Sequence, residues 1–324
     1  MKPFLESLDT QIVEAIRIGT KLQIPKNWSG IKKILFCGMG GSAIGGDILR
    51  RIEFKKDRFP FLVQRTPAIP KWVDSETLAI VSSYSGNTRE VLEAFQAVHR
   101  AKAKMLVVSS GGKLAALAKK HKLPHVIIPN GMPPRCAVGY MTFVLIPALN
   151  KMKLMSVSKK EIAECLKVIQ QLPKAKAKSL AKKMAHHFAH LYAVSGIMEP
   201  VLTRWRAQLA ENSKTLVSHQ YLPEMYHNEI EGWNVPRSVI SRSVAVFFID
   251  REDPAWIAEK RKVTQRIIRK HHGKVIEVAS TGKSSLARIF SLIALGDWVS
   301  YELAMMYKVD PLSIKNIDYL KKVR

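Results

Sequence analysis

The chain has 324 residues, of which 47% are hydrophobic, 8% aromatic and 24% charged. This composition is typical of a globular protein and excludes disordered and collagen-like chains, and the length suffices for two domains with a core each. The charge is unusual, because 52 Lys and Arg residues stand against 26 Asp and Glu residues, a formal net charge of +26. Such a field attracts anions, but the basic residues are scattered along the chain, so we expect a basic surface rather than nucleic-acid binding.

The apolar runs and the cysteines of the sequence indicate the cellular compartment. No uninterrupted apolar run approaches the roughly 18 residues of a membrane-spanning helix, and the opening segment MKPFLESLDTQIVEAI is interrupted by acids, unlike a signal peptide. The cysteines, Cys37, Cys136 and Cys165, are too few and too scattered for a disulfide framework or a zinc site. We therefore expect a cytoplasmic protein with no metal and no membrane partner.

Short β-branched runs alternate with helical patterns in the first half of the chain, which predicts βαβ units on a parallel sheet. The predicted strands are Ile31–Cys37, Phe61–Val63, Leu78–Ser83, Lys104–Ser109 and His125–Ile128. The predicted helices are Phe4–Thr20, Ser42–Ile52, Asn87–Arg100, Leu114–Lys120 and Met141–Asn150. Together these elements predict an N-terminal domain over residues 1–155.

The second half repeats the same plan, which predicts a second α/β domain over residues 156–324. Its predicted strands are Leu191–Ser195, Val244–Asp250 and Lys274–Ala279. Its predicted helices are a linker helix over Lys159–Gln171, then Glu199–Val217, Glu252–His271 and a long apolar helix over Ser284–Tyr307. The polar stretch Leu172–Ser179 is interpreted as a boundary segment.

A glycine-rich segment, GMGGSAIGG, begins at Gly38 directly after a predicted strand and opens a helix. Glycines let the backbone approach an anion closely, and the amide groups of a helix start point towards it. The spacing of Gly38, Gly40 and Ala43 also fits a dinucleotide fingerprint. That fingerprint requires an acid after the next strand, where this chain has Gln64 and Arg65. Because an arginine can hold a 2′-phosphate, an NADP-dependent oxidoreductase stays open as an alternative.

A second segment, SSYSGNTRE, ends another predicted strand and begins another helix. Ser83, Ser85 and Thr88 bring three hydroxyl groups to one helix N-terminus. A plain helix cap uses one hydroxyl, whereas three hydroxyls beside free amide groups can surround a phosphate. The sequence therefore predicts a phosphate-binding site.

GMGGSAIGGD followed by SSYSGNTRE resembles the sugar isomerase (SIS) domain, which binds phosphosugars. Three later motifs, PPR at residues 133–135, ENSK at 211–214 and HNEIEGW at 227–233, narrow the resemblance. Together the five motifs are similar to those of the bifunctional phosphoglucose/phosphomannose isomerases, in the same order and over both halves of the chain. The fold that this resemblance implies is α/β, with two SIS-type subdomains, each a parallel sheet flanked by helices in a flavodoxin-like three-layer sandwich.

The resemblance also implies the site. Gly41, Ser42, Ser83, Ser85 and Thr88 would hold the substrate phosphate. Arg135 would stabilise an enediolate, Glu211 would move a proton between C1 and C2, and His227, donated by the neighbouring subunit of a homodimer, would open the sugar ring. A pocket lysine matches Lys321, next to Lys322, and Ser313 is the hydroxyl nearest the position linked to acceptance of the mannose epimer. No cofactor and no metal are implied.

The residues themselves are suited to such chemistry. One carboxylate on one face of an enediol suffices to move a proton between adjacent carbons. A guanidinium held by two preceding prolines suits a delocalised oxyanion, and a neutral imidazole can take and return the proton that ring opening requires. We expect an aldose–ketose isomerase that acts on glucose 6-phosphate, fructose 6-phosphate and mannose 6-phosphate. A non-catalytic phosphosugar-binding protein is a second alternative.

Overall fold

The computed structural model describes residues 1–52 and 59–323. The chain divides into two compact units. The N-terminal unit is Glu6–Ile162, and the C-terminal unit is Ala163–Arg324 together with Met1–Leu5.

The N-terminal unit contains a parallel five-stranded sheet in the order β2-β1-β3-β4-β5. The strands are β1 (Lys33–Cys37), β2 (Phe61–Gln64), β3 (Thr77–Ser82), β4 (Lys104–Ser109) and β5 (His125–Ile127). The chain passes from β1 to β2 on one side of β1 and then to β3 on the other side of β1. The loops after β1 and β3 therefore diverge at the carboxyl edge of the sheet, the position where open α/β sheets bind ligands.

In chain order the helices of the first half are α1 (Lys2–Glu6), α2 (Leu8–Thr20), α3 (Gly40–Ile52), α4 (Arg89–Arg100), α5 (Gly112–Lys120), α6 (Val138–Phe143) and α7 (Ile146–Lys151). Apart from α1, of which residues 2–5 fall in the C-terminal unit, these helices belong to the N-terminal unit and flank its sheet. The single helix predicted over Met141–Asn150 was wrong, because Pro147 lies in the first turn of a separate helix, where its missing N–H costs no hydrogen bond. The helix predicted over Phe4–Thr20 is likewise two helices, divided at Ser7.

The C-terminal unit contains a parallel four-stranded sheet in the order β7-β6-β8-β9. The strands are β6 (Phe188–Val194), β7 (Val217–Leu222), β8 (Ser243–Ile249) and β9 (Lys274–Ala279). The predicted helix Glu199–Val217 was too long, because Lys214 adopts a left-handed conformation, with φ of 60°, that ends the helix and leads into β7. Both sheets, flanked by helices, confirm the predicted α/β class.

The helices of the second half are α8 (Lys159–Gln170), α9 (Lys174–Met184), α10 (Glu199–Ser213), α11 (Arg237–Ile240), α12 (Ala255–Lys270), α13 (Ser285–Met306) and α14 (Lys315–Leu320). The stretch interpreted as a boundary segment is largely helical, because Ala177, Leu180, Ala181 and Met184 of α9 fall on one face and are buried. Among the residues described, α13 alone is long and apolar enough to cross a membrane, and 78% of its most apolar window is buried inside the structure. That burial is characteristic of a core helix.

Acidic side chains occupy the turn between β8 and α12. Asp250 lies 3.0 Å from the buried guanidinium of Arg288, which also pairs with Glu252 at 2.9 Å. Asp253 accepts a hydrogen bond of 3.0 Å from Arg261, and burial raises the pKa of Asp253. The carboxylates of this turn are thus engaged by arginines of the same unit.

Candidate active site

Tyr84 joins three loops at the carboxyl edge of the N-terminal sheet. Its backbone N–H donates to Ser42 Oγ in the glycine-rich loop after β1, at 2.9 Å. Its hydroxyl donates to the carbonyl of Pro129 at 3.0 Å and accepts from the backbone N–H of Met132 at 3.2 Å, in the segment that leads to PPR. Burial raises the pKa of Tyr84, which keeps this hydroxyl protonated as a donor. The two candidate phosphate loops and the PPR segment therefore form one hydrogen-bonded assembly.

The hydroxyl groups of the SSYSGNT turn differ in exposure. Ser83 is buried, its Oγ accepts from the N–H of Gly86 at 3.1 Å, and it lies 2.9 Å from Thr88 Oγ1. Thr88 occupies the N-cap of α4 and is half-buried. Ser85 is exposed, and its Oγ accepts from the N–H of Asn87 at 3.3 Å. Ser83 thus shapes the turn, and Ser85 presents its hydroxyl to solvent.

Gly41 places the glycine-rich loop against Arg135. A Cβ at Gly41 would lie 2.8 Å from the carbonyl carbon and oxygen of Pro134 and 2.9 Å from the backbone nitrogen of Arg135. These separations are shorter than real Cβ contacts, so only glycine allows this approach. Arg135 itself is buried at 4% exposure within the short 3-10 turn Pro134–Cys136. The structure therefore brings Gly41, Ser42, Ser83, Thr88 and Arg135 together in one unit.

Glu211 lies near the end of α10, which is fixed to α13 by a row of buried polar contacts. Arg204 donates two hydrogen bonds to Asp297, at 2.9 and 2.6 Å, and the neighbour of Glu211, Asn212, donates to Ser300 Oγ at 2.9 Å. Glu211 is half-buried at the end of this row. The backbone that carries the carboxylate is thus held to a core helix.

Lys214 connects the Glu211 segment with Ser313. Its ammonium donates to the backbone carbonyls of Glu211 and of Ser313, the latter at 2.7 Å. The structure therefore brings together two residues that lie far apart in the sequence, Glu211 and Ser313. Lys321 follows the exposed helix α14 and pairs with Asp318 at 3.5 Å.

His227 is exposed at the end of a 3-10 turn over Glu224–His227, followed by Asn228 and a second 3-10 turn over Glu229–Trp233. Glu211, His227, Ser313 and Lys321 belong to the C-terminal unit, whereas the candidate phosphate loops and Arg135 belong to the N-terminal unit.

Arg65, on which the NADP alternative depends, forms an ion pair with Asp47 of α3. Among residues 1–52 and 59–323, no group of three or more His, Cys, Asp or Glu side chains has the arrangement of a metal site.

Two residues that join candidate site segments within their own units, Tyr84 in the N-terminal unit and Lys214 in the C-terminal unit, were not predicted from the sequence as site residues. Both lie inside the motifs quoted above, so position within the motif was the available signal. Their roles depend on partners distant in the sequence, Pro129 and Ser313, which spacing alone does not reveal.

Comparison with known proteins identifies the family of this chain. Residues 173–323 match the family model described as the bacterial phospho-glucose isomerase C-terminal SIS domain. The chain is 37% identical to the bifunctional phosphoglucose/phosphomannose isomerase of Caldicellulosiruptor bescii, over 97% of this chain and 96% of that protein. It is 33% identical to the enzyme of the same name from Aquifex aeolicus, over 92% of each chain.

Solved structures show the same fold at low sequence identity. The hypothetical protein TT0462 from Thermus thermophilus superposes with a TM-score of 0.75 at 16% identity, covering 98% of this chain and 87% of that one. The C-terminal domain of glucosamine-fructose-6-phosphate aminotransferase from Francisella tularensis gives 0.73 at 13% identity, covering 96% and 97%.

The parallel sheets and the matched SIS domain define the class, that of SIS-domain isomerases of phosphosugars. The identity to curated relatives over nearly the whole chain narrows the class to a family: this chain belongs to the bifunctional phosphoglucose/phosphomannose isomerases. It is therefore an enzyme, and the resemblance that its five motifs predicted is confirmed.

Proposed function

We propose that this enzyme interconverts glucose 6-phosphate, and its epimer mannose 6-phosphate, with fructose 6-phosphate through a cis-enediolate and without a metal ion. The observation that carries the proposal is the assembly around Tyr84, in which both candidate phosphate loops and the PPR segment are bonded together. A loop that ends in helix amides and exposed hydroxyls suits a phosphate dianion. The basic surface of the chain would speed the arrival of such a substrate.

Each chemical step has a candidate residue. Gly41, Ser42, Ser83, Ser85 and Thr88 form the phosphate-binding set, with Ser85 the hydroxyl most open to solvent. His227, supplied in this proposal by the partner in a homodimer, takes a proton from the C1 hydroxyl of the cyclic aldose and returns it to the ring oxygen. The open chain then has an aldehyde at C1.

Glu211 next removes the proton from C2, and electrons move into the carbonyl to give the enediolate. The buried guanidinium of Arg135 would stabilise the oxygen that gains negative charge. The proton of the C2 hydroxyl then passes to the C1 oxygen, and return of the other proton from Glu211 to C1 yields the ketose with its carbonyl at C2, so atoms and charges balance without a further reactant. For the mannose epimer the C2–C3 bond must rotate so that the opposite face is used, and Ser313 is the proposed residue that bears on this choice. Lys321 is the proposed lysine of the catalytic pocket.

The test is the substitution Glu211→Gln. We expect turnover of glucose 6-phosphate to fructose 6-phosphate, measured without any nucleotide, to fall at least about 10²-fold, the scale of a general base. Binding of fructose 6-phosphate should persist, because the phosphate-binding set is untouched. The matched control is Glu259→Gln on the exposed face of α12, which should retain parental turnover. Unchanged turnover in Glu211→Gln would contradict the assignment.

A second experiment examines the shared site. Glu211→Gln and His227→Ala proteins, each inactive alone, should regain part of the activity when mixed, because a mixed dimer has one site with both native residues. Failure of the mixture to recover activity would contradict donation of His227 across an interface.

A further inference from the structure

The segment that carries His227 is anchored on both sides. Met225, two residues before, is fully buried, and Trp233, six residues after, is 3% exposed in the same apolar cluster. Between them, Asn228 donates from its amide to Glu224 at 2.8 Å and accepts from the N–H of Glu229 at 2.6 Å. His227 therefore has an exposed side chain, and the residues before and after it in the chain are held in place by packing and hydrogen bonds.

The strongest of these anchors is a chain of three polar groups. The hydroxyl of Tyr192, a buried residue of β6, donates to Glu229 Oε1 at 2.6 Å and accepts from the indole N–H of Trp233 at 2.9 Å. Burial and the carboxylate of Glu229 raise the pKa of Tyr192, so the hydroxyl stays protonated and acts as the donor. The Tyr192 hydroxyl thereby binds two residues of the HNEIEGW segment, Glu229 and Trp233, to strand β6 of the C-terminal sheet.

The neighbouring histidine does not replace this anchor. His190 Nδ1 lies 3.9 Å from Glu229 Oε1 and 2.8 Å from Ser218 Oγ. Burial lowers the pKa of His190 to about 4, so the ring is neutral near pH 7 and forms no ion pair with the carboxylate. The Tyr192 hydroxyl is thus the partner that orients Glu229, and a hydrogen bond to an ionised group is among the stronger ones.

From this geometry we infer that Tyr192 and Glu229 are positioning residues for His227, setting the backbone from which its imidazole opens the sugar ring. The inference rests on the proposed role of His227. In this proposal neither Tyr192 nor Glu229 touches the reacting atoms. The backbone N–H of Glu229 bonds to Asn228, the residue next to His227, so we expect release of the Glu229 side chain from Tyr192 to displace the histidine. Displacements of about 1 Å can cost about 10²-fold in rate.

Ring opening can be measured by itself. Opening and reclosure of the ring interconverts the α and β anomers of fructose 6-phosphate, and this exchange does not require the base that moves the C2 proton. We therefore choose the Glu211→Gln protein as the parent and NMR exchange spectroscopy of fructose 6-phosphate as the assay. In this parent, His227→Ala should abolish the enzyme-dependent exchange.

Tyr192→Phe in the same parent retains the ring, which stacks on Phe247 with centroids 5.1 Å apart, and removes only the hydroxyl. We expect the exchange rate to fall about 10-fold or more while the dissociation constant of fructose 6-phosphate is unchanged. Glu229→Ala should behave like Tyr192→Phe. Glu229→Gln, whose amide oxygen still accepts from Tyr192, should retain most of the rate. The matched control is Tyr301→Phe on α13, which should behave as the parent.

The outcomes separate the two claims. Loss of exchange in His227→Ala but parental exchange in Tyr192→Phe overturns the positioning role and leaves the proposed function standing. Parental exchange in His227→Ala overturns the role of His227 itself, and the inference with it. If Tyr192→Phe weakens binding of fructose 6-phosphate as much as it slows exchange, or if Glu229→Gln is as slow as Glu229→Ala, the residues only support the fold and the inference is wrong.

Discussion

Replacing Gly41 with alanine tests the contact between the glycine-rich loop and Arg135. The added Cβ would lie 2.8 Å from the Pro134 carbonyl, whereas ordinary contacts begin at 3.4 Å. The carbonyl, with the Arg135 backbone that follows it, must therefore move by about 0.6 Å, since a packed interior offers no slack. Overpacking of this kind costs about 1–3 kcal/mol of the free energy of unfolding.

The expected kinetic effect follows from the same displacement. If the guanidinium of Arg135 must meet the enediolate oxygen, a shift of this size should lower kcat/KM for glucose 6-phosphate about 10-fold or more. Initial rates and urea unfolding are measured on the same preparations. The control is Gly30→Ala, also in the N-terminal unit, where φ is +68° and the Cβ meets nothing within 4 Å. It should lose about 1–2 kcal/mol through backbone strain and retain parental kcat/KM. Parental kcat/KM in a destabilised Gly41→Ala protein would refute the role of this contact.

Other perturbations distinguish structure from substrate binding. Ser83→Ala removes one of two acceptors of the Gly86 N–H, which also donates to the Ser83 carbonyl at 3.1 Å, and should cost about 0.5–1.5 kcal/mol in urea unfolding. Ser85→Ala, at an exposed site, should change stability by less than about 0.5 kcal/mol but raise KM about 10-fold or more. The reverse pattern would contradict the division of roles between these hydroxyls. Burial lowers the pKa of His190 from 6.5 to about 4 in the folded chain. As pH falls, the unfolded chain therefore protonates this histidine before the folded chain does, so the free energy of unfolding should decrease by about 3 kcal/mol between pH 6.5 and pH 4. In His190→Gln, unfolding at pH 7 and pH 4.5 should show a smaller difference than in the parent, and an equal difference would show that another group causes the acid loss.

Much of the fold follows from local patterns. The strands of the first half were predicted within two residues, because each is a short, mainly apolar run that ends in a polar or glycine-rich turn. Strand β7 was missed because its sequence, VSHQYL, is half polar and continues an apparently helical stretch. The end of that helix depends on the left-handed Lys214, which local propensity does not favour.

The candidate site was less accessible to sequence reasoning than the fold. Motifs identified the residue types, and the resemblance supplied their roles. The contacts that assemble them are non-local: the Tyr84 hydroxyl bonds with Pro129 and Met132, and Lys214 bonds with Ser313. Such contacts depend on which loops the topology brings together, and no periodicity within one segment encodes them.

The four strands of the C-terminal sheet have the same order as the first four strands of the N-terminal sheet, yet the equivalent turns have opposite chemistry. The turn after β3 offers hydroxyls and amides, whereas the turn after β8 contains Asp250, Glu252 and Asp253, with Arg288 and Arg261 paired to these acids. Carboxylates there repel a phosphate dianion, and the nearby positive charge is already neutralised. We therefore expect a hexose phosphate to bind at the turn after β3 and not at the turn after β8, so that calorimetric titration with a hexose phosphate saturates at one molecule per chain.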